Sequence, residues 1–409
     1  MGSLLSTQRR IELKLPSAFV RTEEKSLELS SASFAYPQHD GAIRAELAQR
    51  LLAANRVEEG FLLSTCLRIE VVVPGPVDHL AEALSSLFGE VPGATPQIRR
   101  GERAVTHLYR IAAGLESPIL GEQEILAQFR QSLIEAEESA QVDGVFARLL
   151  ESAVGVGRQA RELLPASPHN SMAAVAAQAV GTAERVAVLG SGIMATAVVD
   201  GLQQLPAPPE VTVVARNPEK VAERAGVEVL PFARASVVLA EFPAVISATS
   251  AKHRLVDDVD IAWMVAERIT PLVLIDMAMP PDFKPPTGSN ISYLSIDDLA
   301  RMADRRSRSE EADDLVERAA ADAYRQYRDH HEIGPLIGGL IDNADEIVDE
   351  VVHRFAGRLA EGRDEVILRQ TAHTVARKLL AGPVSYLRQE QRSPEAIDVI
   401  ADAFGVDDE

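Results

Sequence analysis

R-V-A-V-L-G-S-G-I-M-A-T, residues 185–196, is the stretch that decides the fold of this 409-residue chain. A short apolar, β-branched run enters a glycine turn, and Ala195, Val198, Val199 and Leu202 continue at helical spacing. Strand, tight turn and helix in that order open a dinucleotide-binding βαβ unit. Gly190 permits the turn, and Gly192 lets backbone N–H groups approach a pyrophosphate at the helix N-terminus. Ala195 takes the third small position of the fingerprint. Gly190, Ser191, Gly192, Ile193, Met194 and Ala195 are thus the expected cofactor loop. The next strand, Val211–Ala215, ends in Arg216 and not in an acid. An acid there would bind a ribose 2′-hydroxyl, whereas Arg suits a 2′-phosphate, so NADPH is expected over NADH. The bland alternative is a glycine turn without ligand and a solvated Arg216.

Outward from that unit, residues 165–302 alternate short β-rich runs with helical ones: Arg185–Leu189, Val211–Ala215, Ala244–Ala248 and Leu272–Ile275. That alternation predicts a parallel sheet with crossover helices. Upstream, Leu164–His169 reads L-P-A-S-P-H and breaks structure twice, which marks a linker. Residues 1–164 mix strand-like and helical runs. From 303 onward strand signals vanish, and Ile347, Val351, Phe355 and Leu359 recur at helical spacing among many charges. The expected organisation is multidomain α/β: an N-terminal α+β part over 1–164, a Rossmann-like part over 165–302, and a long helix followed by a helical bundle over 303–409.

The formal net charge is −20, and the last zone carries 14 basic against 24 acidic residues. A like-charged surface repels phosphates, so indiscriminate nucleic-acid binding is disfavoured while a local basic patch is not. Arg305, Arg306 and Arg308, or Arg99 with Arg100 and Arg103, are candidate patches, with solvated charge the simpler reading of each. No run reaches the roughly 18 apolar residues of a membrane span, and no signal peptide opens the chain. One cysteine excludes an internal disulfide and suits a reducing compartment. A cytoplasmic protein is expected, and no metal site.

That cysteine, Cys66, lies in S-T-C-L-R, between the strand-like runs Phe61–Leu63 and Ile69–Val73. A structural cysteine prefers full burial; a reactive one wants a partly exposed, electropositive setting that lowers its pKa. Arg68 can supply that charge or grip a substrate carboxylate. Position alone leaves nucleophile and bystander equally open. A second cluster spans Thr106–Gln128, T-H-L-Y-R-I-A-A-G-L-E-S-P-I-L-G-E-Q-E-I-L-A-Q. Gly114 and Gly121 interrupt its helical pattern and would turn the chain past a pocket holding His107, Ser117, Glu122 and Gln128. A solvated helix face with a structural histidine is the competing reading.

Taken in order, these motifs resemble the glutamyl-tRNA reductase family. Its S-T-C-N-R stands here as Ser64–Arg68, and its H-L-x-R-x-x-x-G-L-[DE]-S with G-E-x-Q-I-x-x-Q as His107–Gln128. G-x-G-x-M follows at Gly190–Met194, S-A-T-S at Ser247–Ser250, I-D-M-A-M-P at Ile275–Pro280 and I-D-D-L at Ile296–Leu299. The resemblance covers about residues 60–300. It implies an N-terminal catalytic domain, an NADPH domain, and a spinal helix leading to an all-α dimerisation domain. Cys66 would attack the ester of glutamyl-tRNA to form a thioester, and NADPH would reduce it to glutamate 1-semialdehyde, the first step of tetrapyrrole synthesis. His107 would serve activity by tuning the thiolate or handling protons. Thr65, Leu67, Arg68, Ser117, Glu122, Gln123, Glu124 and Gln128 match the family's glutamate pocket. The implied partners are glutamyl-tRNA, a second copy through the C-terminal helices, and the downstream aminomutase.

The chain also departs from the pattern. Leu67 replaces the family Asn, Glu124 the Gln of G-E-x-Q-I, Ile193 an acid of the nucleotide loop, and Pro281 the Arg of Pro-Arg-Asp. The region of S-A-S-F-A-Y-P-Q-H-D lacks the family's usual opening. Glu124 beside an anionic substrate is unfavourable unless it is protonated or faces Arg68. The alternatives these changes leave open are another aminoacyl-tRNA or carrier-bound acyl donor, or a non-catalytic paralogue.

Overall fold

The computed structural model describes residues 28–53, 59–164, 171–221, 224, 226–249, 268, 270–285, 290–303, 309–356, 363–389, 393–404 and 406. The chain divides into two compact units, Met1–Ala323 and Tyr324–Glu409. Of the predicted linker, residues 165–169 lie outside the described residues, as do Ser250 and Arg305, Arg306 and Arg308.

The first unit holds two sheets. One is antiparallel, in the order β2-β3-β1-β4, from β1 (Leu29–Ala35), β2 (Phe61–Ser64), β3 (Arg68–Pro74) and β4 (Gln97–Arg100). Strand alternation sorts its faces. Ala32, Phe34, Ile69, Val71 and Val73 pack with Leu47 of α1 (Gly41–Ala53) and with Leu80, Leu84 and Leu87 of α2 (Val77–Phe88). Arg68 and Glu70 take the opposite parity, toward α3 (Glu102–Ala112), α4 (Gln123–Glu138) and α5 (Gly144–Glu162). There Phe61 meets Phe129 of α4 with ring centroids 4.9 Å apart. The helix α3 buries Ala104, Val105, Leu108, Ile111 and Ala112 along one stripe, with His107 among them.

The second sheet is all parallel, in the order β10-β9-β8-β5-β6-β7: β5 (Arg185–Leu189), β6 (Glu210–Ala215), β7 (Val227–Pro231), β8 (Ala244–Ser247), β9 (Leu272–Asp276) and β10 (Ile291–Ser295). The chain starts at the centre, builds outward one way and then the other, and so creates a switch point between β5 and β8, where open α/β sheets bind ligands. One face packs on α6 (Met172–Ala179), α7 (Ile193–Gln203) and α9 (Ile296–Met302), the other on α8 (Ala235–Glu241). The four strands expected from the sequence are all present. Leu67 and Ile119 of the N-terminal fold are members of the same buried cluster as Val186, Val188 and Ala195, so the two folds share a core.

The helix α10 (Glu310–Ala356) begins in the first unit and extends into the second, which also holds α11 (Arg363–Leu387) and α12 (Pro394–Phe404). Ile333, Leu340, Leu380 and Leu387 form the second unit's core. Beside them runs an apolar groove lined by Ile347, Val351, Val375, Leu379 and Phe404, with Ile347 62% and Leu379 69% exposed. Ile347, Val351 and Phe355 of the predicted stripe are thus not packed inside this chain's core; Leu359 lies outside the described residues. Among the described residues, no helix is long and apolar enough to cross a membrane.

Candidate active site

Cys66 sits at the tip of the β2–β3 hairpin. Ser64 pairs with Ile69, and the Thr65 N–H donates to the Arg68 carbonyl at 2.8 Å, leaving Cys66 and Leu67 as the two loop residues. The Thr65 hydroxyl accepts from the N–H groups of Leu67 (3.3 Å) and Arg68 (3.2 Å) and fixes the turn. Leu67, 5% exposed, is a packing residue: its side chain enters the shared core, and its carbonyl accepts from the Tyr36 N–H at 2.9 Å. The half-buried Cys66 packs on the same cluster, as does Met194 of the nucleotide loop.

The electrostatics at the thiol differ from the expectation. Burial first, and Glu122 second, push the Cys66 thiol up to about 12. The cation that opposes them is Arg44 of α1 and not Arg68. Arg68 is buried in a different role: it pairs with Glu70 at 3.5 Å and donates to the Glu116 carbonyl. Glu70 is fully buried and is the hub of this face. It accepts from the Ser33 hydroxyl at 2.9 Å and lies 3.3 Å from His107 Nε2. His107 therefore engages a carboxylate directly, and any effect on the thiol must pass through that network.

Glu122 and Glu124 are both buried where α4 begins. Burial and the neighbouring Glu124 push Glu122 up to about 8, against the pull of Arg68, a hydrogen bond from Ser117 and the charge of Arg161. The charge of Glu124 thus acts on its neighbour Glu122, which holds a proton at neutral pH. The loop before it closes on itself. Gly114 and Gly121 both have positive φ, +73° and +74°, and the Gly121 N–H donates to the Gly114 carbonyl at 3.1 Å. A Cβ on Gly114 would stand 3.0 Å from the Glu122 nitrogen. Arg161 of α5 locks the crossing by donating to the carbonyls of Ala112 (2.6 Å) and Glu122 (2.7 Å). Beside it, Arg110 of α3 binds Glu116 at 2.6 Å and Asp313, in the first turn of α10, at 2.5 Å.

The structure thus gathers Cys66, Thr65, Arg68, His107, Ser117, Glu122 and Glu124 in one electrostatic neighbourhood. Gln128 is half-buried on α4, and the Gln123 side chain is outside the described residues. Of the basic trio on β4 and α3, Arg100 and Arg103 are exposed, while Arg99 is partly buried and feels Glu70 and Glu116. Sequence reasoning missed Glu70, Arg44 and Arg161. Only Glu70 left a signal, as a lone carboxylate inside the apolar run R-I-E-V-V-V.

The nucleotide loop fits the cofactor expected of it. Gly190 has φ +119°, and a Cβ there would lie 2.5 Å from the Ala248 carbonyl oxygen across the switch point. Gly192 caps α7 with no side-chain hydrogen bond and faces open space, so the first N–H groups of the helix are left for a phosphate. Ser191, Ile193 and Arg216 are exposed, Met194 is half-buried, and Ala195 is buried in the helix–sheet contact.

Comparison with known proteins follows the same order along the chain. Residues 22–163 match the family model for glutamyl-tRNAGlu reductase, N-terminal domain; 174–302 match shikimate / quinate 5-dehydrogenase; and 311–406 match glutamyl-tRNAGlu reductase, dimerisation domain. The glutamyl-tRNA reductase of Roseiflexus castenholzii is 30% identical over 403 residues, covering 89% of this chain and 92% of that one. Its counterpart in Roseiflexus sp. strain RS-1 is 30% identical over 400 residues, with 89% and 92% covered. The solved glutamyl-tRNA reductase of Methanopyrus kandleri aligns over 93% of this chain and 100% of its own, at 23% identity and a TM-score of 0.43.

Proposed function

The chain belongs to the glutamyl-tRNA reductase family, and from that premise we propose how its own residues perform the reaction. It is an NADPH-dependent oxidoreductase that reduces glutamyl-tRNA to glutamate 1-semialdehyde, the first committed step of tetrapyrrole synthesis. Its sequence includes a dimerisation domain.

Cys66 is the proposed nucleophile. Its Sγ attacks the glutamyl ester carbonyl; the C–S bond forms, the C–O bond to the ribose breaks, and the tRNA oxygen leaves with a proton. Gly190–Ala195 would hold NADPH and Arg216 suits its 2′-phosphate; the hydride it would supply adds to the thioester carbonyl carbon, the C–S bond breaks, and the Cys66 thiolate leaves as the aldehyde is released. The observation that carries this reading is the shared core. Cys66 and Met194 pack against the same buried cluster, so the hairpin that carries the nucleophile and the fold that carries the cofactor loop belong to one continuous core.

The substrate's own charges suit the pocket. The side-chain carboxylate finds Arg68. The α-ammonium finds the Glu122–Glu124 pair and adds a positive charge near the thiol, so seating the substrate favours the thiolate. Thr65 fixes the hairpin, Ser117 hydrogen-bonds Glu122, and His107 acts through Glu70 on Arg68. Gln123 and Gln128 complete the proposed pocket. Leu67 lies in the core, so the change from the family Asn is a packing change and does not argue for a different acyl donor.

The proposed functional domains are 1–164, 165–302 and 303–409. The finer expectations are a homodimer through the C-terminal helices, a cytoplasmic setting, and hand-over of the reactive aldehyde to the downstream aminomutase. The deciding experiment incubates the protein with NADPH and glutamyl-tRNA and traps the acyl adduct. Aldehyde formed by wild type and lost in Cys66→Ser, with adduct on Cys66, supports the reading. Turnover that survives Cys66→Ser overturns it.

A further inference from the structure

One buried cation has no role in the chemistry above. Arg44 lies on α1, outside the motifs around Cys66, His107 and the nucleotide loop, yet its side chain is fully buried. A buried guanidinium is costly unless paired and hydrogen-bonded throughout. Here Nη1 donates to the His39 carbonyl at 3.0 Å and Nη2 pairs with Asp297, while Nε has no partner among the described residues. Asp297 belongs to the I-D-D-L motif at the start of α9, in the nucleotide-binding fold. Its neighbour Asp298 is occupied in capping that helix through Ser295, so Asp297 alone reaches across.

The route from Arg44 to the hairpin tip is short. The guanidinium lies over the Tyr36 ring, 5.9 Å from its centroid. The Tyr36 N–H donates to the carbonyl of Leu67 at 2.9 Å, and Tyr36 packs on the same cluster as Cys66. The charges around the thiol are Glu122 and Glu124 from the start of α4 and Arg44 from α1; the Arg44 guanidinium itself faces Asp297 and the His39 carbonyl.

We propose that Arg44 is a positioning residue that serves as the buried counter-charge of the Cys66 thiolate, and that Asp297 sets its strength by competing for the same guanidinium. The arrangement makes the nucleophile of one fold answer to a carboxylate of the other: when Asp297 holds Arg44 tightly, less of its field is left for sulfur. The proposal rests on Cys66 being the nucleophile, and its test needs no substrate.

The chain's one cysteine makes the readout unambiguous. The rate of Cys66 alkylation by iodoacetamide is followed by mass spectrometry on the folded full-length protein from about pH 6 to about pH 11, since only the thiolate reacts. Arg44→Gln should slow alkylation about tenfold at each pH below the plateau, one unit of upward displacement. Asp297→Asn should accelerate it by about threefold or more, because the freed cation then faces sulfur alone. Arg44→Lys should stay within about threefold of wild type, keeping charge but not the fork. A purely structural bridge predicts a different pattern, with Arg44→Gln and Asp297→Asn moving the rate the same way. That result, or no change in Asp297→Asn, overturns the proposal. If Arg44→Gln does not fold by circular dichroism, Asp297→Asn and Arg44→Lys decide. Opposed shifts with no glutamyl-tRNA turnover would sink the proposed function and leave this inference standing; loss of turnover in Cys66→Ser without opposed shifts would do the converse.

Discussion

His107 Nε2 lies 3.3 Å from Glu70 Oε2, joining α3 to the centre of the antiparallel sheet through a carboxylate that is fully buried. Removing one partner of such a network leaves the others desolvated and unpaired. Glu70→Ala should therefore cost about 3–5 kcal/mol of unfolding free energy, and the isosteric Glu70→Gln less. Urea denaturation of both variants checks this, and a loss under about 0.5 kcal/mol for Glu70→Ala would contradict it.

Glu122 gives stability a defined pH dependence. Its carboxyl is raised by burial and by Glu124 to about 8, so the folded state keeps a proton that the unfolded state releases near the ordinary carboxylate value. The folded state binds more protons over that interval, so stability is full below it and declines as pH rises toward 8. Melting temperature measured across this range should fall with pH, and Glu122→Gln should flatten the slope. A wild-type curve that rises over the same window would refute the assignment.

The resting thiol should behave as an unactivated one. With Cys66 pushed up to about 12, alkylation should climb about tenfold per pH unit without levelling at neutral pH. Addition of L-glutamate, whose ammonium suits the acid pair, should accelerate it. A plateau near pH 7 would mean that the free enzyme already stores a thiolate.

NADPH binding depends on two separable features. Gly190→Ala places a Cβ 2.5 Å from the Ala248 carbonyl oxygen at φ +119°, and should abolish binding measured by nicotinamide fluorescence. Arg216→Gln should weaken NADPH by about tenfold and leave NADH nearly unchanged. Equal losses for both nucleotides would place the 2′-phosphate elsewhere.

The exposed groove of the second unit gives a surface to test. Leu379→Asp introduces a charge at a 69% exposed leucine that should be tolerated by the fold. If the groove buries against a second copy, sedimentation should convert the dimer to monomer, with the circular dichroism unchanged. A dimer that survives the charge would move the interface off this groove.

Much of the architecture was legible because it is written in local pattern. Arg185–Leu189, the glycine turn and the 193–203 helix are contiguous, and the runs flanking Cys66 announce a hairpin by their spacing. The site was legible only in part. Its residue types could be found from Cys66 to Gln128, but their partners come from elements far apart in sequence. Arg44 reaches a carboxylate 253 positions away, and Arg161 grips a carbonyl 39 positions upstream. The charges that act on the thiol were illegible for the same reason. The neighbouring Arg68 is plain in the sequence, whereas burial and the approach of Glu122 arise only once the chain has folded.

Arg110 joins two events that look unrelated. One guanidinium holds Glu116, in the loop that carries Ser117 and Glu122, and Asp313, in the opening turn of the 47-residue helix. Once either carboxylate has immobilised that side chain, the other binds it with less entropy to lose, and thermodynamic reciprocity makes the assistance equal in both directions. The loop that carries Ser117 and Glu122 and the start of the helix are therefore held by one side chain, so removing Arg110 would release both at once.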